Sequence, residues 1–240
     1  MRMFAGPNGS GKTTVQRRLS QRVGPGFLGV LVNPDDLEAA IRRTGRLDLC
    51  PFDVSAEESE VRDAFTSSAF LKHHRLADAA TVIRCENQVI DFSGLAMNSY
   101  YASVLAGFLR RKLLAGSVSF TFETVMSEPG KVELLHEARG LGFRTYLYYV
   151  ATDDPEINVA RVGLRVAQGG HDVPREKITS RYRRSLDLVR DAIRHTDRAF
   201  LFDTSGTTSL LIAESAGGER PELQSEWTPG WFKTFVWDKF

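Results

Sequence analysis

Short apolar runs alternate along the chain with amphipathic stretches. Met1–Ala5 is an apolar stub of strand type that runs into Gly6, and Phe27–Val32 is a continuous apolar run of strand length. Between them Lys12–Val23 has helical spacing and stops at the Gly24-Pro25-Gly26 breaker, so the opening segment reads as one strand–helix–strand unit. Asp35–Gly45 reads as a short helix and Arg46–Val54 as a loop. Ser55–Phe70 reads as a helix whose Ser55 and Glu58 have capping-box spacing. Residues 71–97 hold no sustained period and read as an insertion with a hairpin of Thr81–Ile83 and Gln88–Phe92. Asn98–Ala115 is a helix with Tyr101, Val104, Leu105, Phe108 and Leu109 on one face, ended by Gly116.

Beyond it, Val118–Phe122 is a strand leading to Glu123, and Lys131–Arg139 is a helix closed by Gly140-Leu141-Gly142. Thr145–Ala151 is a β-rich strand. Asp154–Val166 and Pro174–Arg194 are helices separated by Gly169-Gly170-His171, and Ala199–Phe202 is the last strand. Strands alternating with helices predict the α/β class, with a parallel sheet of nucleotide-kinase type covered on both faces. A single domain over residues 1–240 is expected, with a helical lid at about 154–195. The tail at about 219–240 is polar, then aromatic (Trp227, Trp231, Phe232, Phe235, Trp237, Phe240), and is expected to pack across the domain or against a partner.

Composition narrows this only slightly. The 240 residues are 42% hydrophobic and 25% charged, with a formal net charge of +1. That balance argues against a nucleic-acid or anionic-membrane partner. No apolar stretch approaches the roughly 18 residues of a membrane span. The first residues do not resemble a secretory signal, so the expected location is the cytoplasm. The two cysteines, Cys50 and Cys85, are far apart and read as reduced thiols, not a disulfide or metal site.

The chemistry begins at Gly6, Pro7, Asn8, Gly9, Ser10, Gly11, Lys12 and Thr13, which match the phosphate-loop pattern GxxxxGK(S/T). Glycines let successive N–H groups turn toward phosphate oxygens, and the helix from Lys12 adds its positive end. Lys12 is expected on the β- and γ-phosphates, Thr13 on Mg²⁺, and Thr14 completes the nucleotide-binding set. Acidic residues at strand ends come next, because ligands of such sheets bind beyond the carboxyl ends of the strands. Asp35 and Asp36 follow the second strand. One of them caps the next helix, and the other is left to take a proton from an acceptor hydroxyl. Glu123, with Thr124 and Ser127 nearby, follows the strand ending at Phe122 and either holds Mg²⁺ through water or grips the substrate. Arg161 and Arg165 share a helix face beside Ile157, Ala160 and Leu164, and Arg181 borders an apolar stripe. Arginines here suit the charge that builds on a transferring phosphoryl group, although most of them, like His171, read equally as solvated or structural.

Ala5-Gly-Pro-Asn-Gly-Ser-Gly-Lys-Thr13, Asn33-Pro-Asp35, Phe122-Glu-Thr124, Tyr149-Val150, Arg161-Val-Gly-Leu-Arg165-Val166, Gly169-Gly-His-Asp-Val-Pro174 and Arg181-Tyr-Arg-Arg-Ser185-Leu186 occur in this order. Together they resemble the zeta-toxin family of P-loop kinases, chiefly its short stand-alone members, over about residues 3–205. The resemblance implies ATP- or GTP-dependent, Mg²⁺-assisted phosphorylation of a nucleotide sugar, with the 3′-hydroxyl of the amino sugar in UDP-N-acetylglucosamine as acceptor. It implies Asp35 as base, Lys12 and Thr13 at the phosphates, Arg161 and Arg165 as candidate catalytic lid arginines, and Glu123 on the substrate; Thr124 and Arg181 stand beside Glu123 as candidate substrate-binding residues. A separate antitoxin protein is implied as well. A kinase for another small hydroxyl compound, such as an antibiotic or nucleoside, is one alternative. An ATP-dependent switch on a macromolecule is another.

Overall fold

The computed structural model describes residues 1–169 and 172–240. Gly170 and His171, part of the break expected at Gly169-Gly170-His171, lie outside the described residues. Along the chain come β1 (Arg2–Ala5), α1 (Lys12–Val23), β2 (Val30–Val32), α2 (Pro34–Thr44), β3 (Arg46–Asp48), α3 (Glu58–Thr66), α4 (Ala69–His73), β4 (Arg84–Glu86), β5 (Val89–Asp91) and α5 (Ser99–Ala115). They are followed by β6 (Phe120–Thr124), α6 (Gly130–Gly140), β7 (Tyr146–Ala151), α7 (Pro155–Ala167), α8 (Arg175–Asp187), α9 (Val189–Arg194), β8 (Arg198–Asp203), β9 (Leu210–Ala216), β10 (Glu222–Leu223) and α10 (Gly230–Phe235). The chain forms two compact units, Met1–Phe27 with Phe122–Phe240, and Leu28–Thr121.

In the first unit the strands run in the order β10-β9-β8-β7-β1-β6. β1, β7 and β8 are parallel, and β9 and β10 extend them antiparallel. The sheet is thus the expected parallel α/β core with an antiparallel edge. Ala199–Phe202 is not the last strand. β9 escaped the sequence reading because its apolar run breaks into Glu-Ser-Ala and its pairing with β8 shifts register at Leu201/Phe202.

β1 is short but central, and its Met3, Phe4 and Ala5 are fully buried. In-register residues Phe4, Tyr148 and Phe200 stack across three strands at centroid distances of 4.5 and 5.1 Å. Burial pushes the Tyr148 phenol up to about 12. Tyr149, on the other face, meets the α8 residue Ser185 through its hydroxyl at 3.1 Å and packs on Trp231 of α10. The tail therefore packs on its own unit. α7 and α8 join through Val162, Val173 and Ile178 with Val159 and Val166 beside them. Leu164, expected on the apolar face, is 66% exposed instead. The predicted long helix Pro174–Arg194 is broken at Leu188 into α8 and α9.

The second unit holds β2 and a three-stranded antiparallel sheet in the order β3-β5-β4. The stretch expected to be a loop contains β3, and the hairpin begins at Arg84, not Thr81. Its turn residues Asn87 and Gln88 both take left-handed φ, 51° and 63°, the geometry of a tight two-residue hairpin. The capping box of α3 is Glu57 with Glu60, displaced two residues from the expected Ser55 and Glu58. Phe65 packs on Phe92 and Tyr101 at the centre of this unit. Among the described residues no helix is long and apolar enough to cross a membrane.

The long helix α5 starts from Asn98, whose Oδ1 accepts from the amides of Tyr100 and Tyr101 at 3.0 and 3.2 Å. Asn98→Ala is expected to lower the unfolding free energy by about 1 kcal/mol, read from a urea melt followed by circular dichroism.

Candidate active site

The loop between β1 and α1 is shaped by glycines that no other residue can replace. Gly6 has φ 140°, and a Cβ there would lie 1.9 Å from the carbonyl oxygen of Val150 at the end of β7. Gly9 has φ 74°, and its Cβ would meet the Asn158 carbonyl oxygen at 2.6 Å. The curl is tied down by its neighbours. Asn158 Nδ2 donates to Asn8 O at 2.6 Å, Thr204 Oγ1 donates to Ser10 O at 2.7 Å, and Gly6 N donates to Thr124 O at 3.2 Å. Asn158 is itself fully buried and accepts from the Thr152 hydroxyl.

α1 starts from Gly11 with no side-chain cap and no acid in its first turn. Its opening amides therefore keep the positive end of the helix available to an anion. α2, α3, α5 and α7 are each capped by their own side chains, from Asn33, Glu57, Asn98 and Asp154. Lys12 Nζ lies over the loop, donating to Gly6 O and Pro7 O at 2.8 Å each. Thr13 Oγ1 donates to Glu123 Oε2 at 3.0 Å. The Ser10 hydroxyl is buried in the curl, with no hydrogen-bond partner among the described residues.

Most of the predicted residues of this unit gather here. Glu123 lies within β6, not past its end, because the strand continues to Thr124. Thr124 Oγ1 accepts from the Met126 amide at 3.0 Å and shapes the turn after the strand. Thr14 and Arg161 line an open cleft of about 160 Å³ beside Gly11, Val15 and Arg18. Arg161 donates to Thr204 O at 2.6 Å and to Gly206 O at 3.3 Å. Arg165 is exposed on α7. Arg181 is half-buried, and its burial lowers the guanidinium's affinity for its proton while the Glu128 charge opposes this. Asp35 lies in the second unit, in the first turn of α2. Neither Asp35 nor Asp36 caps that helix, contrary to expectation. Asn33 does, accepting from the Asp35 amide at 2.9 Å, because Pro34 takes the first helical position and leaves the cap to the residue before it. The Asp36 carboxyl is raised above its ordinary range, first by burial and then by the charge of Asp35.

Three features escaped the sequence reading: Asn158, Arg18 and the segment 204–209. Thr204, 206–209 and Arg18 form one side of the cleft, and Arg18 donates to Ser209 Oγ at 3.1 Å. A run of small polar residues directly after a buried strand was the available signal for the segment, since ligands collect at such strand ends. Asn158 was legible as a polar residue on a buried helix face.

Architecture and loop together define a P-loop α/β fold. Two chains of solved structures share this fold. The AvrRxo1-ORF1:AvrRxo1-ORF2 complex with sulphate ions gives a TM-score of 0.52 at 17% identity over 93% of this chain. The form with ATP gives 0.52 at 18% identity. This chain spans 60% of the length of those neighbours. A chain from the PezAT chromosomal toxin-antitoxin system of Streptococcus pneumoniae gives 0.48 at 13% identity over 87% of this chain and 72% of its own length. An uncharacterized protein of Haemophilus influenzae is 31% identical over 65 residues, 27% of this chain and 46% of its own length. No protein-family model matches.

Gly9→Ala is expected to displace the loop from Asn158 and to weaken Mg-ATP binding at least about tenfold, measured by calorimetric titration.

Proposed function

We propose that the chain is a phosphotransferase that moves the γ-phosphoryl group of ATP onto a hydroxyl of a nucleotide sugar, UDP-N-acetylglucosamine being the best candidate. One observation carries the reading: the Thr13 hydroxyl and the Glu123 carboxylate meet at 3.0 Å beside a glycine curl that opens onto an uncapped helix start. Phosphate oxygens would be held by the loop amides of 6–14, by Lys12 and by the buried Ser10 hydroxyl.

Thr13 and Glu123 supply the hard oxygen donors that Mg²⁺ prefers. Among the described residues no three His, Cys, Asp or Glu side chains gather into a metal cage, which suits an ion shared with phosphates and water. When bound, the ion would offset charge on the phosphate oxygens. Arg161 would flank the nucleotide, with Arg165 as the second lid arginine. Glu123, Thr124 and Arg181 would orient the acceptor.

In the reaction the acceptor's hydroxyl oxygen bonds to the γ-phosphorus. The bond from that phosphorus to the bridging oxygen breaks, ADP leaves, and the hydroxyl proton passes to Asp35. The exposure of Asp35 just beyond β2 supports this assignment. The resemblance also carries a separate protein partner, and the AvrRxo1 neighbours are themselves described as complexes.

ADP release is the deciding measurement. With Mg-ATP it is expected to rise on adding UDP-N-acetylglucosamine. Asp35→Ala should reduce that rise by about a hundredfold or more while ATP still binds. An equal loss in Asp36→Ala alone would move the base by one residue. Lys12→Ala should abolish productive nucleotide binding. Stimulation by an antibiotic or nucleoside, and not by the sugar, would replace the acceptor. Stimulation only by DNA or RNA would replace the kinase reading with a switch.

A further inference from the structure

The loop that lines the cleft is not held by the sheet alone. Asp203, the last residue of β8, is a carboxylate only 3% exposed. Its Oδ1 accepts from the Ser205 amide at 2.8 Å, and its Oδ2 accepts from the Ser205 hydroxyl at 3.0 Å and from the Trp231 indole Nε1–H at 2.8 Å. The Ser205 oxygen in turn accepts from the Asp153 amide at 2.8 Å, and Asp153 Oδ1 accepts from the Trp231 amide at 2.9 Å. The four residues close a ring of hydrogen bonds. Within that ring lies Thr204. Its side chain holds the phosphate loop through Ser10 O, and its carbonyl holds the Arg161 guanidinium in the cleft.

Trp231 is also held by packing outside the ring. It is 2% exposed and packs on Tyr149 and Phe232 at 5.8 and 5.9 Å. Its helix α10 is tied to α8 by the Arg183 guanidinium over the Phe235 ring at 4.6 Å. A buried carboxylate needs every donor it can reach, since an unmet lone pair in a dry site costs the full desolvation of that group. The indole N–H is the donor that comes from outside the loop.

We propose that Trp231 is a positioning residue for nucleotide binding, acting through Asp203 and Ser205 to fix Thr204 and, with it, Arg161. The tail is then part of the binding apparatus and not merely a cover for the sheet. This inference rests on the nucleotide reading of the cleft. It adds that the nucleoside end of the ligand, beside Arg161 and 204–209, feels the tail more than the phosphate end, whose curl of 6–14 is held also by Asn158 on Asn8 O and by Gly6 N on Thr124 O.

The test uses the full chain with two probes, Mg-ATP and Mg-tripolyphosphate, titrated by calorimetry. Trp231→Phe keeps an aromatic ring at the site but removes the N–H donor together with part of the indole's packing, whereas Ser205→Ala leaves that packing intact. Trp231→Phe is expected to weaken Mg-ATP binding about tenfold and to leave tripolyphosphate binding within about twofold. Ser205→Ala removes a second member of the ring without touching the tail and should give the same split. Should Trp231→Phe fail to fold, as judged by circular dichroism, Ser205→Ala decides alone. Unchanged ATP affinity in a folded variant overturns the proposal, as does equal weakening of both probes. If the unaltered chain binds neither probe, the nucleotide reading falls and this inference falls with it. If it binds both and the variants match it, only this inference falls.

Discussion

The site depends on one close approach of main chain to main chain. The phosphate loop is pressed so tightly against the end of β7 and the start of α7 that the carbonyl oxygens of Val150 and Asn158 occupy the space where side chains of residues 6 and 9 would begin. That contact gives the loop its curl and leaves the amides at the start of α1 without a protein cap. It also requires β1 to lie beside β7, which the parallel pairing and the Phe4–Tyr148–Phe200 stack secure. A buried central strand therefore carries the constrained loop.

Around this contact the polar residues are used to fasten loops to one another. Asn158 from α7 and Thr204 from the end of β8 reach the carbonyl oxygens of Asn8 and Ser10. Asp203, Ser205, Asp153 and Trp231 repeat the device one layer further out. Buried polar groups of this kind are costly unless all are met, so each constrains its neighbours to one arrangement. A nucleotide site made of loops gains rigidity in this way, without longer strands.

Much of the first unit was legible in the sequence. The phosphate loop carries its own signature, because only glycines tolerate its backbone, and the helices and strands through β8 follow from hydrophobic spacing. The second unit was less so. Its strands are three residues long, too short to show a period of two, and its hairpin is set by Asn87 and Gln88, which are weaker turn signals than a glycine. The capping residue of α3 was misplaced because glutamates at 57, 58 and 60 offer several overlapping boxes. Asp35 and Asp36 likewise looked like caps until Asn33 was found to supply the oxygen.

By itself the sequence determined the local chemistry: which backbone must curl, which helix opens uncapped at its glycine, and which lysine and threonine follow it. These depend on residues adjacent in the chain, whose geometry is limited by φ, ψ and the absence of a Cβ. Only the tertiary structure decided that Glu123 meets Thr13 from 110 residues away, that Asn158 and Thr204 hold the loop, and that Trp231 reaches Asp203. Those pairings join residues far apart in the chain. They exist because parallel strands bring their carboxyl ends to one side of the sheet, a juxtaposition that no local pattern encodes.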